Sequence, residues 1–105
     1  MRFIETPVFT RTIVALLDDE AYRFLQLALL QRPESGALIP KSGGLRKLRW
    51  PLAGRGKRGG LRVIYYWDAP SETFYMLYAF PKNEQEDLTA QQLRILARLV
   101  REEFG

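Results

Sequence analysis

The sequence contains neither cysteine nor histidine, and these two absences remove most of the familiar catalytic chemistry. Without cysteine there is no disulfide, no thiolate nucleophile and no cysteine-based zinc site. Without histidine the usual general base and the commonest metal ligand are gone, along with every Ser-His-Asp and Cys-His arrangement. Long apolar runs are missing too: residues 13–17, Ile-Val-Ala-Leu-Leu, are far too few to cross a bilayer. The first residues, Met-Arg-Phe-Ile-Glu-Thr-Pro, lack the apolar stretch and small-residue cleavage site of a secretory signal. The expected location is the cytoplasm, with no membrane partner. No tight acidic constellation points to a metal, so neither a metal nor another cofactor is expected. Any catalysis must run on Lys, Arg, Tyr, Asp, Glu or Ser, or on groups that the substrate brings.

What is present fits one small globule. At 105 residues the chain has room for a single core, so residues 1–105 are expected to form one domain. A composition of 47% hydrophobic and 27% charged residues is that of a soluble protein. The net charge is +4, but the distribution says more than the total. Half of the 16 basic residues fall in residues 41–62: Lys41, Arg46, Lys47, Arg49, Arg55, Lys57, Arg58 and Arg62, with no acidic residue among them. The rest of the chain carries more acid than base. A single basic segment suits a polyanion, because Lys and Arg displace the counterions condensed on phosphates. The excess of arginine over lysine favours the same partner, since a guanidinium grips phosphate with two hydrogen bonds.

Periodicity supplies the elements. A short strand is expected at residues 2–5. Thr6-Pro7 reads as an N-cap with proline at the first helical position, starting a helix over 7–16. Asp18-Asp19-Glu20 opens a second helix that Pro33 ends, giving a helical hairpin. Residues 33–44 are rich in Pro, Gly and Ser and read as a loop. Strands follow at 45–50, 61–67 and 73–80, the last apolar on both faces as a central strand should be. Thr89 and Gln92 form a capping box, and Leu93, Leu96, Ala97, Val100 and Phe104 make one face of a final helix. The order β-α-α-β-β-β-α predicts an α+β fold, with a helical hairpin and a C-terminal helix packed on a small, mainly antiparallel sheet.

Alternation within these strands picks out candidate functional residues. Lys47 and Arg49 share one face of their strand, and Arg62 lies with Ile64 and Tyr66 on one face of the next. If pairing turns both sets the same way, three cations share a surface and repel unless an anion sits among them. The bland alternative is a rim salt bridge from Arg62 to Glu86 or Asp87. Lys82 and Asn83 come directly off the central strand, where a rigid scaffold hands side chains to a site. Glu84, Glu86 and Asp87 are explained by the helix start that follows. Gly-Arg-Gly-Lys-Arg-Gly-Gly (54–60) lacks the phosphate-loop pattern and precedes a strand where a nucleotide loop would precede a helix. It reads as a hairpin tip whose Arg55, Lys57 and Arg58 reach a nucleic-acid backbone.

Three blocks carry a resemblance: Gly-Gly-Leu-Arg-Lys-Leu-Arg (43–49), Gly-Lys-Arg-Gly-Gly-Leu-Arg-Val-Ile-Tyr-Tyr (56–66) and Phe-Pro-Lys-Asn-Glu-Gln-Glu-Asp-Leu-Thr (80–89). In this order they resemble the RelE/ParE superfamily of toxin–antitoxin toxins, most closely its HigB-type RelE-like branch. The resemblance implies the RelE-like fold and a ribosome-dependent mRNA endonuclease that inhibits translation by metal-independent attack of the 2′-OH on the scissile phosphate. It implies as partners the 70S ribosome, mRNA and a cognate antitoxin with a helix-turn-helix DNA-binding domain. Lys47, Arg49, Arg62, Lys82 and Asn83 then take the catalytic positions, with Lys47 a candidate for removing the 2′-OH proton. Arg46, Arg55, Lys57 and Arg58 become contacts to RNA or ribosome. The chain departs from the best-studied members at Asn83, where they have arginine, and at Thr89, where they have a base-stacking tyrosine; Tyr66 or Tyr78 are substitutes for the latter. The alternatives are a ParE-like inhibitor of a protein target such as DNA gyrase, and a non-catalytic RNA-binding domain.

Overall fold

Local signals account for the start of each helix. Thr6 caps α1 (Pro7–Leu16) by accepting from the Phe9 N–H at 3.1 Å, and Pro7 takes the first helical position, where an N–H has no helical partner anyway. Asp18 caps α2 (Asp19–Gln31) by accepting from the Ala21 N–H at 2.7 Å, with Asp19 and Glu20 at the positive end of the helix dipole. Only Leu17 and Asp18 separate the two helices, which form the expected hairpin. At the start of α3 (Ala90–Phe104) the capping box closes both ways. The Gln92 N–H donates to Thr89 Oγ1 at 3.1 Å, and the Thr89 N–H donates to Gln92 Oε1 at 3.0 Å. The computed structural model describes residues 1–52 and 60–104. Among these, no helix is long and apolar enough to cross a membrane.

The strands β1 (Arg2–Glu5), β2 (Ala37–Leu38), β3 (Arg46–Trp50), β4 (Leu61–Asp68) and β5 (Thr73–Pro81) form one sheet in the order β1-β5-β4-β3-β2. β1 runs parallel to β5, and the other neighbours are antiparallel. The fold is α+β, as expected, with one addition: the 33–44 segment, read as a loop, contains β2. Two residues are too few to show a period-2 pattern, so only pairing with β3 defines them. The turn after β2 is closed by Ser42, whose buried hydroxyl donates to the Ile39 carbonyl at 2.6 Å and accepts from the Leu45 N–H at 3.0 Å. Gly44 follows at φ +116°, with its α-carbon so near the Tyr66 ring that a Cβ would meet it at 3.0 Å. Only glycine fits both constraints.

A bulge sorts the side chains of β5 between the two faces. Ile64 pairs with Tyr78 and Tyr65 with Met76, so Leu77 is an extra residue in β5. Before the bulge Phe74 and Met76 face the helical hairpin and Tyr75 and Leu77 face α3. After it Tyr78 and Phe80 face α3 and Ala79 faces the hairpin. Two cores result. One joins Phe9, Ile13, Leu25 and Leu29 to Val63, Tyr65, Phe74 and Met76; the other joins Val100 of α3 to Leu45, Ile64, Leu77 and Phe80. The bulge also leaves the Leu77 carbonyl free to accept from Thr6 Oγ1 at 2.8 Å, tying the corner between β1 and α1 to the central strand.

The hairpin-side core is closed by Tyr65, which is fully buried and holds the chain that leaves α2. Its hydroxyl donates to the Pro33 carbonyl at 2.7 Å and accepts from the Gly36 N–H at 2.9 Å. Tyr65→Phe should strand that buried N–H and lower stability by about 1–3 kcal/mol. Urea denaturation of the two proteins measures it, with an unchanged slope showing that the fold itself is kept.

Candidate functional site

The register of β3 on β4 decides whether the cations meet. Arg49 lies directly opposite Arg62, and Lys47 lies opposite Ile64. Residues opposite one another in an antiparallel pair project from the same face. Lys47, Arg49 and Arg62 therefore share the face that carries α3, and none of them belongs to either apolar core. Like charges directly opposite one another are destabilising. Arg62 is also only 6% exposed.

The alternative, an ion pair from Arg62 to Glu86 or Asp87, is not formed among the described residues. The ion pairs among the described residues are Arg46–Glu34, Lys47–Asp87 and Arg98–Glu102. Residues 53–59 contain no Asp or Glu. Burial first, and then the Arg49 charge, press the Arg62 pKa below its ordinary value, while Asp87 pulls the other way. Arg62 nonetheless stays a cation at any physiological pH.

Asp87 belongs to Lys47, with Nζ and Oδ1 at 3.0 Å. The same Oδ1 accepts from the Leu88 N–H at 2.8 Å. Burial alone would raise the Asp87 carboxyl. The Lys47 hydrogen bond, the Leu88 N–H and the charges of Lys47 and Arg62 outweigh burial and hold it below the usual carboxylate range. The sequence reading assigned Asp87 to the helix start or to Arg62. The only local signal was its place two residues before the Thr89 cap, and its true partner lies 40 residues away.

The remaining candidates divide. Lys82 and Asn83 are exposed in the turn after β5. The Lys82 N–H donates to the Gly60 carbonyl at 2.8 Å, which places the turn at the Arg62 end of the sheet. Arg46 does not join them. It pairs with Tyr65, on the opposite face, and its guanidinium clasps the chain after α2 through the Gly36 carbonyl at 2.8 Å and the Glu34 carboxylate at 3.1 Å. Arg55, Lys57 and Arg58 lie outside the described residues. The Thr89 hydroxyl is occupied in its cap. Tyr66 stacks on Phe104 with centroids 4.4 Å apart, and the Tyr78 hydroxyl accepts from Gln92 Nε2 at 3.2 Å. Both tyrosines thus have packing roles within the α3 layer.

A family model described as the RelE toxin of the RelE/RelB toxin–antitoxin system matches residues 36–104. The match covers about two thirds of the chain. It begins at the glycine held by Tyr65, runs through β2 to β5 and α3, and includes the three facing cations with Asp87, Lys82 and Asn83.

Two stability measurements test this electrostatic description. Arg62→Leu removes a buried charge that faces another cation, so it should leave stability unchanged or raise it by about 1 kcal/mol. A loss above about 2 kcal/mol in chemical denaturation would make Arg62 a structural residue instead. Asp87 has a lowered pKa, so its contribution is present at neutral pH and fades as pH falls through that lowered value. Asp87→Asn should accordingly reduce the Tm near pH 7, with the gap to wild type closing in strong acid.

Proposed function

The chain belongs to the RelE toxin family, the toxins of toxin–antitoxin systems, and on that premise we propose that it is an endoribonuclease that cuts mRNA on the ribosome. Membership implies an antitoxin partner. We assign the chain to the HigB-type branch on its three sequence blocks, and take its antitoxin to carry a helix-turn-helix domain. The observation that carries the nuclease reading is Arg62: buried, without an ion-pair partner among the described residues, and opposite Arg49. A protein gains nothing in stability from that arrangement. A phosphodiester entering it gains a preorganised cationic seat.

The chemistry suits a chain without histidine or cysteine. RNA carries its own nucleophile, the 2′-OH, which must be held in line with phosphorus and the leaving 5′ oxygen. The new O2′–P bond forms as the P–O5′ bond breaks, giving a cyclic phosphate and a 5′-hydroxyl; the proton lost from O2′ is matched by one gained at O5′. Arg62 and Arg49 stabilise the charge growing on the phosphate oxygens, and Lys47 adds a third cation beside them. Lys47, whose Nζ lies 3.0 Å from Asp87 Oδ1, is also the candidate for taking the O2′ proton. Lys82 and Asn83, exposed at the same end of the sheet, hold the RNA backbone. Arg55, Lys57 and Arg58 supply docking charge.

Expression of the chain alone in a bacterium should stop translation, and co-expression of its antitoxin should restore growth. Single-turnover cleavage on programmed ribosomes should fall by about 10²–10³ in Arg62→Ala, the usual loss for one preorganised charge-stabilising donor. Neutralising Arg55, Lys57 and Arg58 together should weaken binding and its salt dependence, yet spare the rate at saturation. Folded protein that leaves ribosome-bound mRNA intact would overturn the nuclease assignment, and a rate unaffected by Arg62→Ala would overturn the placement of the site.

A further inference from the structure

Beside the cation row the sheet face opens into a cleft of about 280 Å³. Leu38 and Ile39 line it from β2 and the following turn, Leu88 from the segment before α3, Leu93 from the first turn of α3, and Lys47 and Asp87 supply its charged groups. Leu38 leaves 58% of its surface in water and forms an exposed apolar wall. Lys47 stands two residues along β3 from Arg49, about 7 Å on a strand, so the cleft begins within one nucleotide of the Arg49–Arg62 pair.

We propose that this cleft is a nucleobase subsite, selective for guanine, that seats the base next to the phosphate held by Arg49 and Arg62. The proposal rests on the RNA-cleaving reading and adds to it a determinant of sequence preference. A nucleobase is a flat apolar body with a polar edge, which matches leucine and isoleucine walls over a Lys–Asp pair. The edge chemistry favours one base. Asp87 Oδ1 is engaged by Lys47 and by the Leu88 N–H, while Oδ2 accepts no hydrogen bond among the described residues. Guanine offers two adjacent donors, N1–H and the 2-amino group, to that carboxylate, and its O6 lies beside them as an acceptor for Lys47. Uracil flanks its single N–H with carbonyls that repel a carboxylate. Adenine and cytosine each follow their amino group with a ring-nitrogen lone pair.

The test uses the full chain without ribosomes, so that binding is read apart from cleavage. Four trinucleotides that differ only in the central base, 2′-O-methylated to prevent cutting, are titrated while backbone amide shifts are followed by NMR. The central-guanine trinucleotide should bind roughly ten- to a hundredfold more tightly than the others, the discrimination expected of a well-matched base edge. Its shifts should centre on Leu38, Leu88 and Leu93. Asp87→Asn should abolish the preference, and Leu38→Ala, at an exposed side chain that leaves the fold intact, should weaken all four. Equal affinity for the four bases, or a preference that survives Asp87→Asn, would overturn the subsite. Shifts confined to Arg49 and Arg62, or no shift at either location, would overturn the subsite while leaving the nuclease reading in place, since that reading is decided by cleavage on programmed ribosomes. If Leu38→Ala instead weakened antitoxin binding and left base selection unaltered, the cleft would be a protein-docking surface and the proposal wrong.

Discussion

A strand covered by helices on both faces has no natural place for a charge, and the central strand of this sheet holds one. β4 sends Leu61, Val63 and Tyr65 into the core under the helical hairpin and Ile64 into the core under α3. Arg62 interrupts that pattern, and the register with β3 sets Arg49 against it. Packing and pairing of the neighbouring residues hold the arrangement in place. The apolar contacts on both sides fix β4, while the Lys82 N–H fixes the Gly60 carbonyl at its entrance. The two arginines are thus kept opposite one another by strand pairing and by apolar packing on both faces, the fixed charge arrangement on which the proposed anion seat depends.

Much of this frame was legible in the sequence. The Thr6-Pro7 start, the Asp18 cap and the Thr89–Gln92 box are local signals, and the structure realises each with the hydrogen bonds they announce. The shared face of Lys47, Arg49 and Arg62 followed from alternation once pairing was assumed. What escaped were features set by pairing itself. β2 is too short for a period, and the bulge at Leu77 exists only relative to β4. Arg46 looked like its basic neighbours in sequence. It differs because alternation turns it to the Tyr65 face, where the carbonyls and carboxylate of the chain after α2 take up its donors. Asp87 was read by its nearest neighbours in sequence, whereas its meaning comes from Lys47 across the sheet.

The two arginines on β3 show how one strand serves two purposes. Arg46, half-buried against a carboxylate and backbone carbonyls, holds the chain after α2 in place and is satisfied. Arg49, three residues on and facing the other way, is exposed and lacks an ion-pair partner among the described residues. A strand with an odd number of residues between two like side chains would place them together; an even number separates them. Here that parity divides a paired, half-buried arginine from an exposed one, with no difference in residue type.

The parallel pairing of β1 with β5 has a consequence for the order in which the molecule is assembled. β1 is synthesised before its partner, which comes some seventy residues later, and Thr6 cannot close its bond to Leu77 before then. Pairings this distant in sequence carry a large loop-closure cost and form late in folding. The same β5 strand supplies the turn that holds Lys82 against Gly60, and the segment after it supplies Asp87. A nascent chain therefore lacks the complete sheet and the candidate site until β5 and Asp87 have been made. The strand that joins the earliest element to the sheet is thus also the one that brings the Lys82 turn and Asp87 to the cation face, so fold and candidate site are completed by the same late pairing.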